Sequence, residues 1–367
     1  MAKKTKWKKL RGKGEKVYLA PGTLHQELEL LRVTESGIFE YGKRAGSRRK
    51  KQKNIFTKMY VCSQPCEFFS SEQIRKVCER LWGKGRTIRI FQERSTADGV
   101  WNLRFLIAEA FDYLEEAAET FRELDYTFYQ AMEDTGIQDL QTLPLPERMR
   151  LIRKMAASFG AIPDIEELGE NWMTECRGTC LPKEITFTPD GFLSAGRWHT
   201  FVMTVTEGSQ EVLADGRIDM DAYGGLSVVT ALDFVTKDQV KAYMDSVYTG
   251  LDGIKSRLQR KNAGMYRALF EPEEENEAQD HWARAARVYL LSAETEAEGK
   301  RQVEELGKKL REDNVDLRVL YHLQKQCFYA ACGWGYQFPE IGMLVNLTKK
   351  EERDGKKYAG NAKKDEE

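Results

Sequence analysis

Long apolar runs are missing from this 367-residue chain. No stretch of about 18 consecutive apolar residues occurs, so no membrane-crossing helix is expected. The basic start, Met1 to Lys16, is not followed by the apolar core of a secretory signal. Histidine is scarce: His25, His199, His281 and His322 lie far apart, none beside a Ser, Cys or Asp in a nucleophile arrangement. A lone histidine on a strand is usually a packed or half-exposed side chain, so no catalytic residue is expected. A phosphate-binding loop, G-x-x-x-x-G-K-[ST], is missing too. The nearest approaches are "GLDGIKS" (Gly250 to Ser256) and "WGKGRT" (Trp82 to Thr87). They read as a helix kink and a helix-ending turn, and no nucleotide or other cofactor is expected.

The seven cysteines have no regular spacing, which fits a reducing compartment and hence the cytoplasm. Two C-x-x-x-C pairs, Cys62/Cys66 and Cys176/Cys180, would make a four-thiolate zinc site only if the fold joined them. That spacing is looser than the usual C-x-x-C, and the pairs are distant in the chain. No metal site is expected; the thiols read as small packing residues.

Charge is plentiful and nearly balanced, 57 Lys/Arg against 58 Asp/Glu, but unevenly placed. Residues 1–60 hold 17 basic and 5 acidic side chains. One basic segment interleaves Trp7 with Lys3, Lys4, Lys6, Lys8, Lys9 and Arg11; a second carries Lys43, Arg44, Arg48, Arg49, Lys50 and Lys51. Either suits phosphates of a nucleic acid or anionic lipid headgroups. Without a ligand, each is a solvated arm or hairpin tip. The segment "EPEEENEAQD" (Glu271 to Asp280) is acidic, and "KKEERDGKKYAGNAKKDEE" reads as a charged tail.

Periodicity supplies the elements. "GIFEYGK" and "IFTKMYVCS" read as strands around a polar loop. "SSEQIRKVCERLWGKG" reads as a helix with a Ser N-cap, a terminal Gly, and Ile74, Val77, Cys78 and Leu81 on one face. "RTIRIFQER" and "WNLRFLIAEAF" are strands joined by "STADGV". The next helix turns Leu114, Phe121 and Leu124 inward, and "PLPERMRLIRKMAASFG" reads as another. "EITFTP", "WHTFVMTVTE" and "LSVVTALDFV" are strands of a second half, and Thr236 N-caps a further helix. Then come strand 286–292, helix 295–311, strand 315–322 and a short helix at 324–332. The fold class is α/β (α+β), with two mixed, split-βαβ-like subdomains. The expected division is a basic arm 1–16, a first subdomain 17–160, a linker 161–182, a second subdomain 183–348 and a tail 349–367. No internal repeat of about 20–50 residues stands out.

Three stretches carry a family resemblance: "ESGIFEYGK…NIFTKMYVCSQPCEFFSSEQIRKVCERLWGKGRTIRIFQER", "NLRFLIAEAFDYLEEAAETFRELDYTFYQAMEDTGI" and "ARVYLLSAETEAEGKRQVEELGKKLREDNVDLRVLYHLQKQCFYAACGWG". "FLSAGRWHTFVMTVTEG…LSVVTALDFVTKDQVKAYMDSVYTGLDGIKSRLQRKNAG" fits as well. In element order and apolar spacing, residues 33–348 resemble the front half of the conjugation ATPases of type IV secretion systems, the TraC/TrbE/CagE-like group. In that family the last strand-helix-strand unit is soon followed by a RecA-like motor. Here "YQFPEIGMLVNLTKK" and a charged tail stand in its place, so no Walker motif or arginine finger is carried over. The resemblance implies a non-enzymatic scaffold at the cytoplasmic, inner face of a membrane. Its implied partners are inner-membrane channel components or a separate transfer ATPase, with self-association around a ring. The other reading is a nucleic-acid-binding protein of a mobile element.

Overall fold

The computed structural model describes residues 17–19, 30–34, 37–41, 54–64, 66–94, 99–111, 114–143, 185–194, 198–205, 213, 223, 225–240, 242, 281–312, 315–321 and 342–348. They form an α+β fold on one antiparallel sheet of fourteen strands.

The first unit runs β4 (Asn54–Cys62), α1 (Ser71–Arg80), β5 (Thr87–Arg94), β6 (Trp101–Phe111), α2 (Leu114–Glu133), β7 (Leu140–Thr142). Its strands lie in the order β7-β4-β6-β5, so β6 separates β4 from β5 and the βαβ is split. Local chemistry fixes the helices. Ser70 caps α1: its Oγ accepts from Gln73 N, and Gln73 Oε1 accepts from Ser70 N at 2.8 Å. Ile74, Val77 and Cys78 then face the sheet, fully buried. α2 ends on Gly136, whose φ of 82° only glycine adopts at little cost. Ile137 N donates to Met132 O and Gly136 N to Glu133 O, which closes the last turn in a Schellman pattern.

The second unit repeats the order of strands and of the later helix with β10 (Trp198–Val205), β11 (Leu226–Val235), β12 (Trp282–Ala293), α3 (Glu296–Glu312) and β13 (Leu317–Val319); no counterpart of α1 lies among the described residues. Its strand order is β13-β10-β12-β11. The helices match position by position. Ala117, Phe121, Leu124 and Phe128 on α2 have the same spacing as Gly299, Val303, Leu306 and Leu310 on α3, and both rows pack into the core. Flanking strands match as well. β2 (Leu30–Thr34) and β3 (Gly37–Tyr41) extend the sheet beyond β4, as β8 (Ile185–Phe187) and β9 (Gly191–Ser194) do beyond β10. β1 (Val17–Leu19) lies outside β2, and β14 (Met343–Asn346) pairs with the start of β12.

The two units share the sheet. β5 and β11 pair antiparallel from Thr87↔Asp233 to Glu93↔Ser227, near a pseudo-twofold centre. A single hydrophobic cluster runs through both units, from Tyr60 and Phe105 to Leu232, Tyr289 and Leu310. α1, α2 and α3 cover one face of the sheet. The other face is buried too, at Met59, Phe91, Leu106, Val229, Val288 and Leu290. Each such side chain stabilises by roughly 1.5–3 kcal/mol when fully buried.

Thr236 caps a helical turn at 237–240: Gln239 N donates to its Oγ1, and Thr236 N donates to Gln239 Oε1 at 2.9 Å. The expected helices at 144–160 and 324–332 lie outside the described residues.

Candidate functional site

Every basic residue singled out in the sequence, Lys3, Lys4, Lys6, Lys8, Lys9, Arg11, Lys43, Arg44, Arg48, Arg49, Lys50 and Lys51, lies outside the described residues. The structure places their anchors. Val17 opens β1, directly after the first basic segment. Tyr41 of β3 pairs with Asn54 of β4, so the second basic segment joins two neighbouring antiparallel strands.

Polar side chains of the described residues cluster in several places, two of which join segments far apart in the chain. The first is on the outer side of the first unit, where β4 meets α2. Lys58 Nζ lies 2.7 and 2.5 Å from the two Asp125 oxygens, and Tyr60 Oη donates to Asp125 Oδ1 at 2.6 Å. The strand supplies two donors on one face, two residues apart, and the helix supplies one carboxylate. Burial, together with the bond to the Asp125 carboxylate, pushes the Tyr60 phenol far above its usual value. The phenol therefore stays protonated and donates. The ring packs edge-on against Phe128 at 4.7 Å. Beside this staple, Tyr126 and Tyr129 stand exposed on α2.

The second place is the junction between the units. Trp82, at the end of α1, stacks on His281 at 4.9 Å, and its indole N–H donates to the Trp282 carbonyl at 3.2 Å. Arg75 Nη1 donates to Asn346 O at 2.9 Å, and Ser71 Oγ donates to Leu213 O. Arg287, fully buried on β12, donates to Thr230 Oγ1 at 3.1 Å and to Leu213 O at 3.0 Å. On the opposite face, Arg104 Nη2 lies 2.5 Å from Glu93 Oε1. Burial raises the Asp233 carboxyl, while Arg89 and Arg284 pull it down. This set ties α1 and β5 of one unit to β11, β12 and β14 of the other.

The three described thiols, Cys62, Cys66 and Cys78, pack against the core. Burial, with Cys66 adding to it, pushes the Cys62 thiol up to about 12; burial raises Cys66 and Cys78 also. Cys66 Sγ donates weakly to Trp101 O at 3.6 Å. Cys176 and Cys180 lie outside the described residues, among which no group of three or more His, Cys, Asp or Glu side chains is placed to hold a metal ion. His199 is half-buried on β10, and His281 serves the stack. No described helix is long and apolar enough to cross a membrane.

Sequence reasoning found neither the Lys58–Tyr60–Asp125 staple nor the junction. Both join residues far apart in the chain. The only signal for the staple is the charged Lys58 within a mainly apolar strand.

No protein-family model and no curated protein sequence matches this chain. Among solved structures, a variant of berberine bridge enzyme in complex with (S)-reticuline is similar to it at 11% identity and a TM-score of 0.28. That match covers 71% of this chain and 41% of the enzyme's, and a likeness at that score carries no argument.

Proposed function

We propose that this chain is a non-catalytic scaffold of a conjugation or type IV secretion apparatus. It acts at the cytoplasmic face of the membrane, bound peripherally to inner-membrane channel components or to a separate transfer ATPase. The observation that carries this reading is the unit β12–α3–β13, built from the stretch that resembles the last element before the family's motor. That unit is tied to the first by the β5–β11 ladder and the Trp82–His281 stack, an arrangement that favours a rigid body presenting surfaces.

The test is a donor cell from which this chain is deleted. DNA transfer is expected to fall and to return with the full chain, and the purified chain is expected to turn over no ATP. Unchanged transfer, or ATP turnover by the chain alone, contradicts the proposal.

A nucleic-acid-binding protein of a mobile element is the second reading, favoured by the basic segment carried between β3 and β4. Affinity for DNA would then fall about tenfold or more between ~50 and ~200 mM salt. Equal retention on DNA after removal of residues 1–16 would count against a role for the arm.

A further inference from the structure

The duplicated architecture supplies its own control for surface chemistry. α2 and α3 bury matching rows, so their outward stripes also correspond. On α3 the stripe is Glu298, Arg301, Glu305, Lys308 and Glu312, and its first three charges satisfy one another: Arg301 lies 2.7 Å from Glu298 and 3.3 Å from Glu305. Lys309 and Arg311 close its last turn. The matching stripe on α2 is Glu116, Glu119, Glu123, Tyr126 and Gln130, continuing to Glu133, with an exposed cation, Arg122, beside it at a helical angle between those of Tyr129 and Glu133. Glu119 stands where α3 has Arg301. The four glutamates are exposed and make no ion pair among the described residues, and α2 has no basic residue in its last turn. Like charges at this spacing weaken a helix. Tyr126, 68% exposed, stands in the middle of the stripe, and Tyr129, 38% exposed, flanks it.

Acidic groups around exposed tyrosines suit lysine and arginine side chains, through ion pairs and cation–π contact. This chain carries such a segment. Lys3–Lys16 holds eight basic residues and a single acid, Glu15, and ends where β1 begins. β1 is three ladders from β4, roughly 14 Å at about 4.8 Å per ladder. α2 is pinned over β4 by Asp125. The segment, extended, spans up to about 45 Å, well beyond that separation.

We propose that the outward stripe of α2 is a docking surface for the chain's own basic segment, Lys3–Lys16. Docked there, the segment's charges are withheld from anionic lipid or nucleic acid; a polyanion that outcompetes α2 releases them. Tethering keeps the local concentration of the segment in the millimolar range, so modest contacts suffice.

The experiment is limited trypsin digestion of the full chain at fixed low salt, following cleavage within residues 3–16. The wild-type segment is expected to be cut several-fold more slowly than in Glu116→Gln/Glu119→Gln/Glu123→Gln or in Glu119→Arg, independently of protein concentration. Glu305→Gln on α3 is the control, expected to cut like wild type. Surface charge changes of this kind are small in stability, so every variant is expected to stay folded at the digestion temperature, and the thermal midpoints are measured alongside. Equal cutting in wild type and both α2 variants overturns the proposal. Protection that grows with protein concentration overturns it as well, because the surface would then be taken by a second copy.

Discussion

Tyr60 shows how much a single side chain holds. Its hydroxyl is a buried donor to a carboxylate that also takes Lys58, and its ring seats Phe128. Tyr60→Phe removes a bond to a charged group and is expected to cost about 1–3 kcal/mol near neutral pH, measured by denaturant unfolding. The pH dependence has a definite sign. The folded phenol is raised well above the unfolded value of about 10. Its contribution is therefore complete below pH ~10 and lost as pH climbs past that value, so the wild-type advantage over the Phe variant should shrink in alkali. An advantage that grew above pH ~10 would contradict the assignment. Cys62 makes a second case: with its thiol pushed up to about 12, alkylation of the folded protein at pH 8 should be much slower than that of an open thiol.

At the scale of elements, the sequence carried α1, α2 and α3 well because their causes are local. Ile74, Val77 and Cys78 announce the buried face of α1, and Ser70 with Gln73 announces its start. Ser70→Ala is expected to cost about 1 kcal/mol, read from the shift in unfolding midpoint. The helix read over 295–311 is α3, Glu296–Glu312. Gly299 there meets a packing limit: a Cβ would run into the buried ring of Phe201. Gly299→Ala should therefore destabilise by about 1–3 kcal/mol, despite the better helix propensity of alanine. An unchanged or higher stability would show that the ring is free to move. The strands were legible as strands but not in their partners. In "TIRIFQER" the alternation of Ile88 and Ile90 with Arg89 suggests one wet face, yet Arg89 and Gln92 are buried. Gln92 is spent on the Phe69 backbone, which no local pattern signals.

For the whole molecule, the organising fact is a duplication that sequence periodicity did not show. Corresponding core positions keep their spacing but change identity, as Phe121 to Val303 and Phe128 to Leu310, so self-similarity in residue type is lost while the burial pattern persists. Strand pairing is non-local, and nothing in "LSVVTALDFV" names β5 as its neighbour. The β5–β11 ladder, backed by Ser71, Trp82 and Arg75, makes the two units one mechanical body. Such a body should unfold as a unit, with coincident transitions from different probes. Amide hydrogen exchange on the full chain tests this most directly. The account predicts that amides of β5 and β11 rank among the slowest and are released together with those of β6 and β12 in one global opening. Fast exchange along β5 and β11, with the two halves opening in separate steps, would contradict it.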